Sequence, residues 1–305
     1  MMSSSNKSNT SYLNSLISNL AESVSPGLPM GLSKYENDPI GFCENELAVR
    51  LTDDQKAILD SVIRYRVTVV ESANGVGKTH IAARAALWFL RCHLDAQVYM
   101  VAAPPEDNLR NILWGELDSS LVNASPEILK GLTRRSLSLS YGPRHWCKGL
   151  TVPTTGTPGE RQAKFSGRHA PFQMFVMDEA DAIPPEVFNG IESCMSGGNN
   201  RLLIILNPRH PSGWVYSMRD NPDVNVITLS AFNHPNVITG KDIVPGAVDR
   251  ETTVRRIQVW TRPIGPQEKV EDESSFAVPD FLDGCTTKDN DGEERTPLHG
   301  GEIRV

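Results

Sequence analysis

The stretch Val69-Val70-Glu71-Ser72-Ala73-Asn74-Gly75-Val76-Gly77-Lys78-Thr79 narrows the choice of fold more than any other part of the chain. Residues 67–70 are β-branched and mostly apolar, as a buried strand is, and after His80 the positions Ile81, Ala85, Leu87 and Leu90 fall at helical spacing. Strand, tight loop and helix in succession let a backbone wrap an anion. Gly75 and Gly77 allow close approach, and the new helix adds its positive N-terminal end. In a G-x-x-x-x-G-K-[ST] loop the lysine reaches the β- and γ-phosphates and the hydroxyl ligates Mg²⁺. Nucleotide binding is therefore expected at Ser72, Ala73, Asn74, Gly75, Val76, Gly77, Lys78 and Thr79, with Thr79 on the metal. Ser72 stands where that pattern has its first glycine. The competing interpretation is a glycine-rich strand–helix turn that binds nothing.

The 305 residues suffice for one large domain or two small ones, of ordinary soluble composition. There is no run of about 18 apolar residues and no apolar signal core, so a soluble, cytoplasmic protein is expected. Cys43, Cys92, Cys147, Cys194 and Cys285 are widely spaced with no C-x-x-C pair and read as idle thiols; His145 and Cys147 lack a second pair to complete a metal site. The net charge of −7 sits at one end, since residues 263–305 hold eleven acidic and four basic side chains and leave 1–262 neutral. Charge alone gives no argument for nucleic-acid binding, although local patches set the field a partner meets.

Residues 1–40 are rich in Ser, Asn, Gly and Pro and read as a flexible tail, in which Leu13, Leu16, Ile17 and Leu20 share a helical face that a partner could cover. Residues 41–262 read as one α/β domain. Strands are expected at 97–102, 172–176, 201–206 and 224–229, and helices at 52–64, 106–121, 184–194 and 250–260. Between 137 and 160 the pattern suggests a small excursion of short strands and a Gly/Thr/Pro-rich loop, beside Arg134, Arg135, Arg144, Arg161, Lys164, Arg168 and His169, the most basic region of the chain. Residues 263–305 read as an acidic linker or docking strap that ends as a strand begins. Repeated alternation implies a mostly parallel central sheet with helices on both faces and nucleotide at the carboxyl ends of the strands.

An apolar strand at 172–176 delivers Met177-Asp178-Glu179-Ala180-Asp181, the second half of an ATP-hydrolysing site. Asp178 would hold Mg²⁺ through water, and Glu179 would orient and deprotonate the attacking water. Asn207, at the tip of the strand 201–206, is a candidate γ-phosphate sensor or, alternatively, an Asn-Pro turn initiator. Gln55 has two interpretations as well: with Thr52 it fits a capping box, and upstream of such a loop its amide could read the adenine edge.

With these residues in place the chain resembles the ATPase part of tailed-phage terminase large subunits. The resemblance rests on residues 51–55, the loop 72–79, Ala103-Pro104 with Ile112-Leu113-Trp114-Gly115-Glu116-Leu117, Phe165-Ser166-Gly167, residues 176–180, Asn207-Pro208 with Pro211-Ser212-Gly213, and Ser230-Ala231-Phe232 with His234-Pro235-Asn236, all in the family's order. It implies an additional-strand P-loop NTPase fold and Mg²⁺-dependent ATP hydrolysis driving double-stranded DNA into proheads. It further implies a ring of copies on the portal protein, a small terminase subunit as partner and residence in the host cytoplasm. It also implies that Gln55 contacts adenine, that Asn207 lies in the segment coupling hydrolysis to movement, and that an arginine, Arg161 or Arg168, completes a neighbour's site. Such terminases continue into a nuclease domain; ending at Val305, this chain is expected to be an ATPase half without nuclease activity. A helicase or remodelling ATPase and a non-catalytic nucleotide-binding assembly protein are the alternatives.

Overall fold

The apolar runs become the centre of an α/β sheet in the computed structural model, which describes residues 30–208, 212–265, 268 and 275–305. Leu13, Leu16, Ile17 and Leu20 lie outside the described residues. Strands β1 (Val67–Ser72), β2 (Ala96–Ala102), β3 (Thr133–Arg135), β4 (Ser138–Gly142), β5 (His145–Thr151), β6 (Phe172–Asp178), β7 (Asn200–Leu206) and β8 (Val224–Leu229) assemble in the order β3-β4-β5-β2-β6-β7-β1-β8. The run β5-β2-β6-β7-β1 is parallel throughout. Strands buried on both faces need continuous apolar sequence, which Val-Tyr-Met-Val in β2 and Leu-Leu-Ile-Ile in β7 supply. Strand β7 lies between β1, which leads into the glycine loop, and β6, which ends in the acid pair. That interposed strand defines the additional-strand arrangement.

The chain divides into two compact units, one holding the described residues up to Ser72 with Gly77–Thr228, the other Ala73–Val76 with Leu229–Val305. In the first unit, helix α1 (Pro39–Glu46) and helix α2 (Asp53–Arg64) precede β1. Helix α3 (Lys78–Cys92) is buried on every side from Ile81 to Cys92, a mostly apolar stretch whose two charges, Arg84 and Arg91, are bonded to Glu116 and to the Glu127 carbonyl. After β2 the expected helix at 106–121 forms, but residues Asn108–Leu113 wind as a π-helix before α4 (Trp114–Val122).

Two local expectations are corrected. The short strands at 133–151 are not an excursion: β5 pairs parallel with β2, and β4 and β3 extend the same sheet in antiparallel fashion. Alternation explains this, because Leu139 and Cys147 face the core while Ser138, Ser140 and Lys148 face the other way. The loop before Glu160 gives way to helix α5 (Pro158–Phe165), whose start is fixed by Pro158 and a complete Thr157/Glu160 capping box. Helix α5 packs on α6 (Pro185–Glu192) through Gly190, where a Cβ would stand 2.6 Å from the Gln162 carbonyl oxygen. Phe165, Val187, Phe188 and Ile191 of this pair cover Tyr99, Val101, Phe175 and Met177 of the sheet.

In the second unit, helix α7 (Arg250–Trp260) contributes Val254 and Ile257 to an apolar cluster with Val278, Leu282 and Leu298. The expected boundary at residue 263 therefore does not coincide with the division into units: apolar residues at intervals through the acidic stretch give it a core to join. The terminal strand β10 (Ile303–Arg304) pairs antiparallel with β9 (Phe276–Ala277). Asn236, 1% exposed, accepts the Ile243 and Val244 amides on Oδ1 and donates to the Val244 carbonyl, so it holds a loop closed. Within this unit Ala73 donates to the Leu229 carbonyl and Gly75, at φ +80°, accepts from the Val248 amide.

Candidate active site

The carboxyl ends of β1, β7 and β6 bring four predicted residues of the first unit into contact. Register sets this up: Glu71 lies opposite Leu206, and Ile205 opposite Asp178, so Ser72, Asn207 and Glu179 emerge side by side from adjacent strands. Lys78 opens α3 directly after Gly77, which takes φ +89°. A side chain at Gly77 would be strained in that backbone, and its Cβ would meet Gln55 Nε2 at 2.8 Å. No side chain caps the start of α3, so its first amides and its positive end are left for a ligand.

Lys78 is 9% exposed. Its Nζ donates to Asn207 Oδ1 at 2.5 Å and lies 3.7 Å from Glu179 Oε1. Asn207 Nδ2 in turn donates to the Ser72 carbonyl at 2.7 Å. The asparagine thus holds the loop's first residue and its lysine at once, a role that neither the sensor nor the turn interpretation anticipates. The lysine and the acid pair occupy one place, as the motif chemistry requires.

Asp178 is 4% exposed, and burial pushes its carboxyl up to about 6, opposed by the Lys78 ammonium and reinforced by the neighbouring Glu179 carboxylate. Glu179 adopts φ +50°, a left-handed backbone uncommon outside glycine, and its amide donates to Asp178 Oδ1 at 2.9 Å. That turn swings the Glu179 carboxylate toward Lys78, and it remains one-third exposed.

A buried aspartate destabilised by desolvation, with a hydroxyl-bearing residue at the head of α3, is a donor set suited to a hard divalent cation that keeps water and phosphate oxygens as its other ligands. Among the described residues no group of three or more His, Cys, Asp or Glu forms a protein-only metal cage. The His145 ring is bonded to the Leu90 carbonyl, and Cys147 is buried. Among the described residues Ser72 Oγ is buried with no hydrogen-bond partner, at the position where the loop pattern has glycine.

Gln55 forms the capping box: its amide donates to Thr52 Oγ1, and its Oε1 accepts the Thr52 amide at 3.1 Å. Paired reading of an adenine edge would require Oε1 to leave that bond. Arg161 is bonded to Glu186 and to the Gly156 carbonyl, and Arg168 to the Lys164 carbonyl with its guanidinium 4.8 Å from the Tyr99 ring centre. Neither approaches Lys78 in these contacts. Two supporting residues have no role assigned from the sequence. Glu116 on α4 meets His80 at 3.4 Å and Arg84 at 3.2 Å, hydrogen bonding that holds its carboxyl below the usual range and ties α4 to the first turns of α3. Glu71, 4% exposed just before the loop, pairs with Arg219. A carboxylate inside an apolar strand is the available signal for Glu71.

An additional-strand α/β sheet with Gly-Lys-Thr at one strand end and Asp-Glu two strands away defines a P-loop nucleotide-binding fold. No family model matches the chain. A curated relative, the probable terminase large subunit of Enterobacteria phage P7, is 27% identical over 155 residues, covering 49% of this chain and 30% of that protein. The resemblance to terminase large subunits drawn from the motifs is thus met by similarity to a protein of that name, of whose length the chain spans under a third. Solved structures similar to this one include the large terminase ATPase domain of Thermus phage P74-26 (TM-score 0.46, 16% identity, 65% of this chain and 90% of that one). The large terminase of another thermophilic bacteriophage follows (0.45, 14%, 59% and 46%), as does a DEAD box protein from Methanococcus jannaschii (0.40, 15%, 65% and 54%). At these scores the fold assignment rests on the strand order and register, not on the superpositions.

Proposed function

We propose that the chain is the ATP-hydrolysing part of a phage terminase large subunit, a motor that moves double-stranded DNA into proheads. The observation that carries this is the meeting of Lys78, Asn207 and Glu179 within hydrogen-bond and ion-pair reach at the ends of three neighbouring strands. In the proposed reaction Gly77 and the first turn of α3 present backbone amides to phosphate, and Lys78 exchanges its Asn207 and Glu179 contacts for β- and γ-phosphate oxygens. Thr79 and Asp178 would hold Mg²⁺, which when bound supplies charge neutralisation between the β- and γ-phosphates. Glu179 accepts the proton of the attacking water, and Asn207 stays on the Ser72 carbonyl and reports loss of the γ-phosphate to β7. Asp178 and Glu179 divide the work by environment: the first is buried against a cation site, the second is open enough to reach water.

The curated relative carries the name of a phage terminase large subunit, and structures of the second thermophilic bacteriophage's large terminase hold ADP and ATP-gamma-S. By extension we assign to this chain a homo-oligomeric ring, with DNA, a portal protein and a small subunit as partners. An arginine from a neighbouring copy would complete the site; Arg161 and Arg168 would have to leave their present partners to serve. Among the described residues no helix is long and apolar enough to cross a membrane.

The test is Glu179→Gln. Nucleotide binding should persist while turnover drops by about 10²–10⁴, the range for loss of a positioned general base. Turnover that survives the substitution overturns the role of Glu179, and absence of ATP turnover in the wild-type chain, with and without DNA, overturns the proposal itself.

A further inference from the structure

Helices α5 and α6 cover the sheet face that carries Tyr99, Val101 and Phe175, but toward the β3 edge that face turns polar. Register aligns Arg135 with Ser138 and Ser138 with Lys148, a transverse row of cation, hydroxyl and cation; Thr133, Ser140 and Trp146 form the next row. Together they line a groove of about 450 Å³ that contains no carboxylate side chain. Arginines beside this face have acidic partners that the groove lacks: Arg134 pairs with Asp118, Arg144 with Asp95 and Arg161 with Glu186. Among the described residues, neither Arg135 nor Lys148 has an acidic side chain within ion-pair distance.

The chemistry of the groove narrows its ligand. Two cations about two strand spacings apart, roughly 10 Å, with hydroxyls between them, suit successive phosphates better than one small anion. The Trp146 ring is already used, with Lys148 Nζ 4.0 Å from its centre and Tyr99 edge-on at 5.0 Å, so the site offers no open aromatic platform for a splayed base. From this arrangement we infer that the β3-β4-β5 face is a contact surface for the sugar–phosphate backbone of duplex DNA, with Arg135 and Lys148 on phosphates and Thr133 and Ser138 as neutral donors, the Ser140 hydroxyl being held by the Gly142 carbonyl. The inference rests on the DNA-motor proposal above and adds the place where the chain holds its track.

Binding of a short fluorescent duplex to the full chain, measured between about 50 and 200 mM salt, tests it. Each phosphate contact contributes about 0.9 to the slope of log K against log salt, so Arg135→Ala and Lys148→Ala should each flatten the slope by about 0.9 and the double variant by about 1.8. Turnover of ATP without DNA and the circular dichroism spectrum should match wild type, since the groove is separate from Lys78 and both side chains are exposed. If wild type hydrolyses ATP and binds duplex while the double variant keeps its slope, the inference is overturned and the motor proposal stands. Displacement of the duplex by inorganic phosphate at constant ionic strength would instead assign the groove to a small anion and overturn it. A wild-type chain that binds no duplex overturns both.

Discussion

Asp178→Asn should make the protein more stable at neutral pH while removing its activity. Asp178 ends β6 at 4% exposure, and burial sets its carboxyl at about 6, against about 3.9 for an unfolded chain. Because the folded value is the higher one, the stability this group contributes is fully present below about pH 4 and is lost as pH rises through 6. Above that, keeping the buried carboxylate ionised costs about 3 kcal/mol, from a difference of about two pH units at 1.36 kcal/mol each. Asparagine carries no charge to desolvate, and its Oδ1 can still accept the Glu179 amide that now donates at 2.9 Å. Urea unfolding at pH 8 should therefore show the variant more stable by up to about 3 kcal/mol, and the advantage should vanish near pH 4. Mg²⁺-dependent ATP turnover should disappear in the same variant. A variant no more stable than wild type at pH 8, or an advantage unchanged by acid, would refute the claim that desolvation dominates at this carboxylate.

Asn207→Ala strips the Ser72 carbonyl and Lys78 of one partner each and should cost about 1–3 kcal/mol in urea unfolding, with a lower turnover rate. Gly190→Ala drives a methyl to 2.6 Å from the Gln162 carbonyl oxygen; the α5–α6 crossing must open, at a cost of about 1–3 kcal/mol, read as a lower thermal midpoint with nucleotide affinity retained. Arg161→Ala removes the Glu186 contact and should leave turnover of the isolated chain unchanged, so a loss of turnover seen only at concentrations where copies associate would mark it as a residue acting in a neighbour's site.

The parts of this fold legible in the sequence are those where one physical signal dominates. Buried parallel strands are apolar throughout, so β1, β2, β6 and β7 stand out, and Gly-Lys-Thr with Asp-Glu identifies the loop and the acids. What the sequence hides depends on weak or tertiary signals. Thr157 and Glu160 have the spacing of a capping box, yet the surrounding Gly, Thr and Pro outweigh them, and α5 reads as loop. The β3-β4-β5 segment reads as an excursion because nothing local to it reveals that Trp146 to Thr151 pairs with β2, which is some fifty residues earlier in the chain. The acidic tail hides Val278, Leu282 and Leu298 among charges, and only their common partner, α7, makes them a core. Asn207 stands out for its place at a strand tip, but its bond to the Ser72 carbonyl joins residues 135 positions apart and has no local trace.

Topology explains why that asparagine is there at all. With β7 interposed, β1 and β6 stand two strand spacings apart, about 10 Å, and Lys78 from one side and Glu179 from the other reach across to within 3.7 Å of each other. Asn207, at the tip of the strand between them, steadies that reach from the β1 side, its amide having both an acceptor for the Lys78 ammonium and a donor for the Ser72 carbonyl. A serine is too short to span both, and an aspartate has no donor for the carbonyl. The interposed strand therefore brings to the head of the loop a tip residue that fixes the lysine and the Ser72 carbonyl together, while the lysine keeps its direct reach to Glu179.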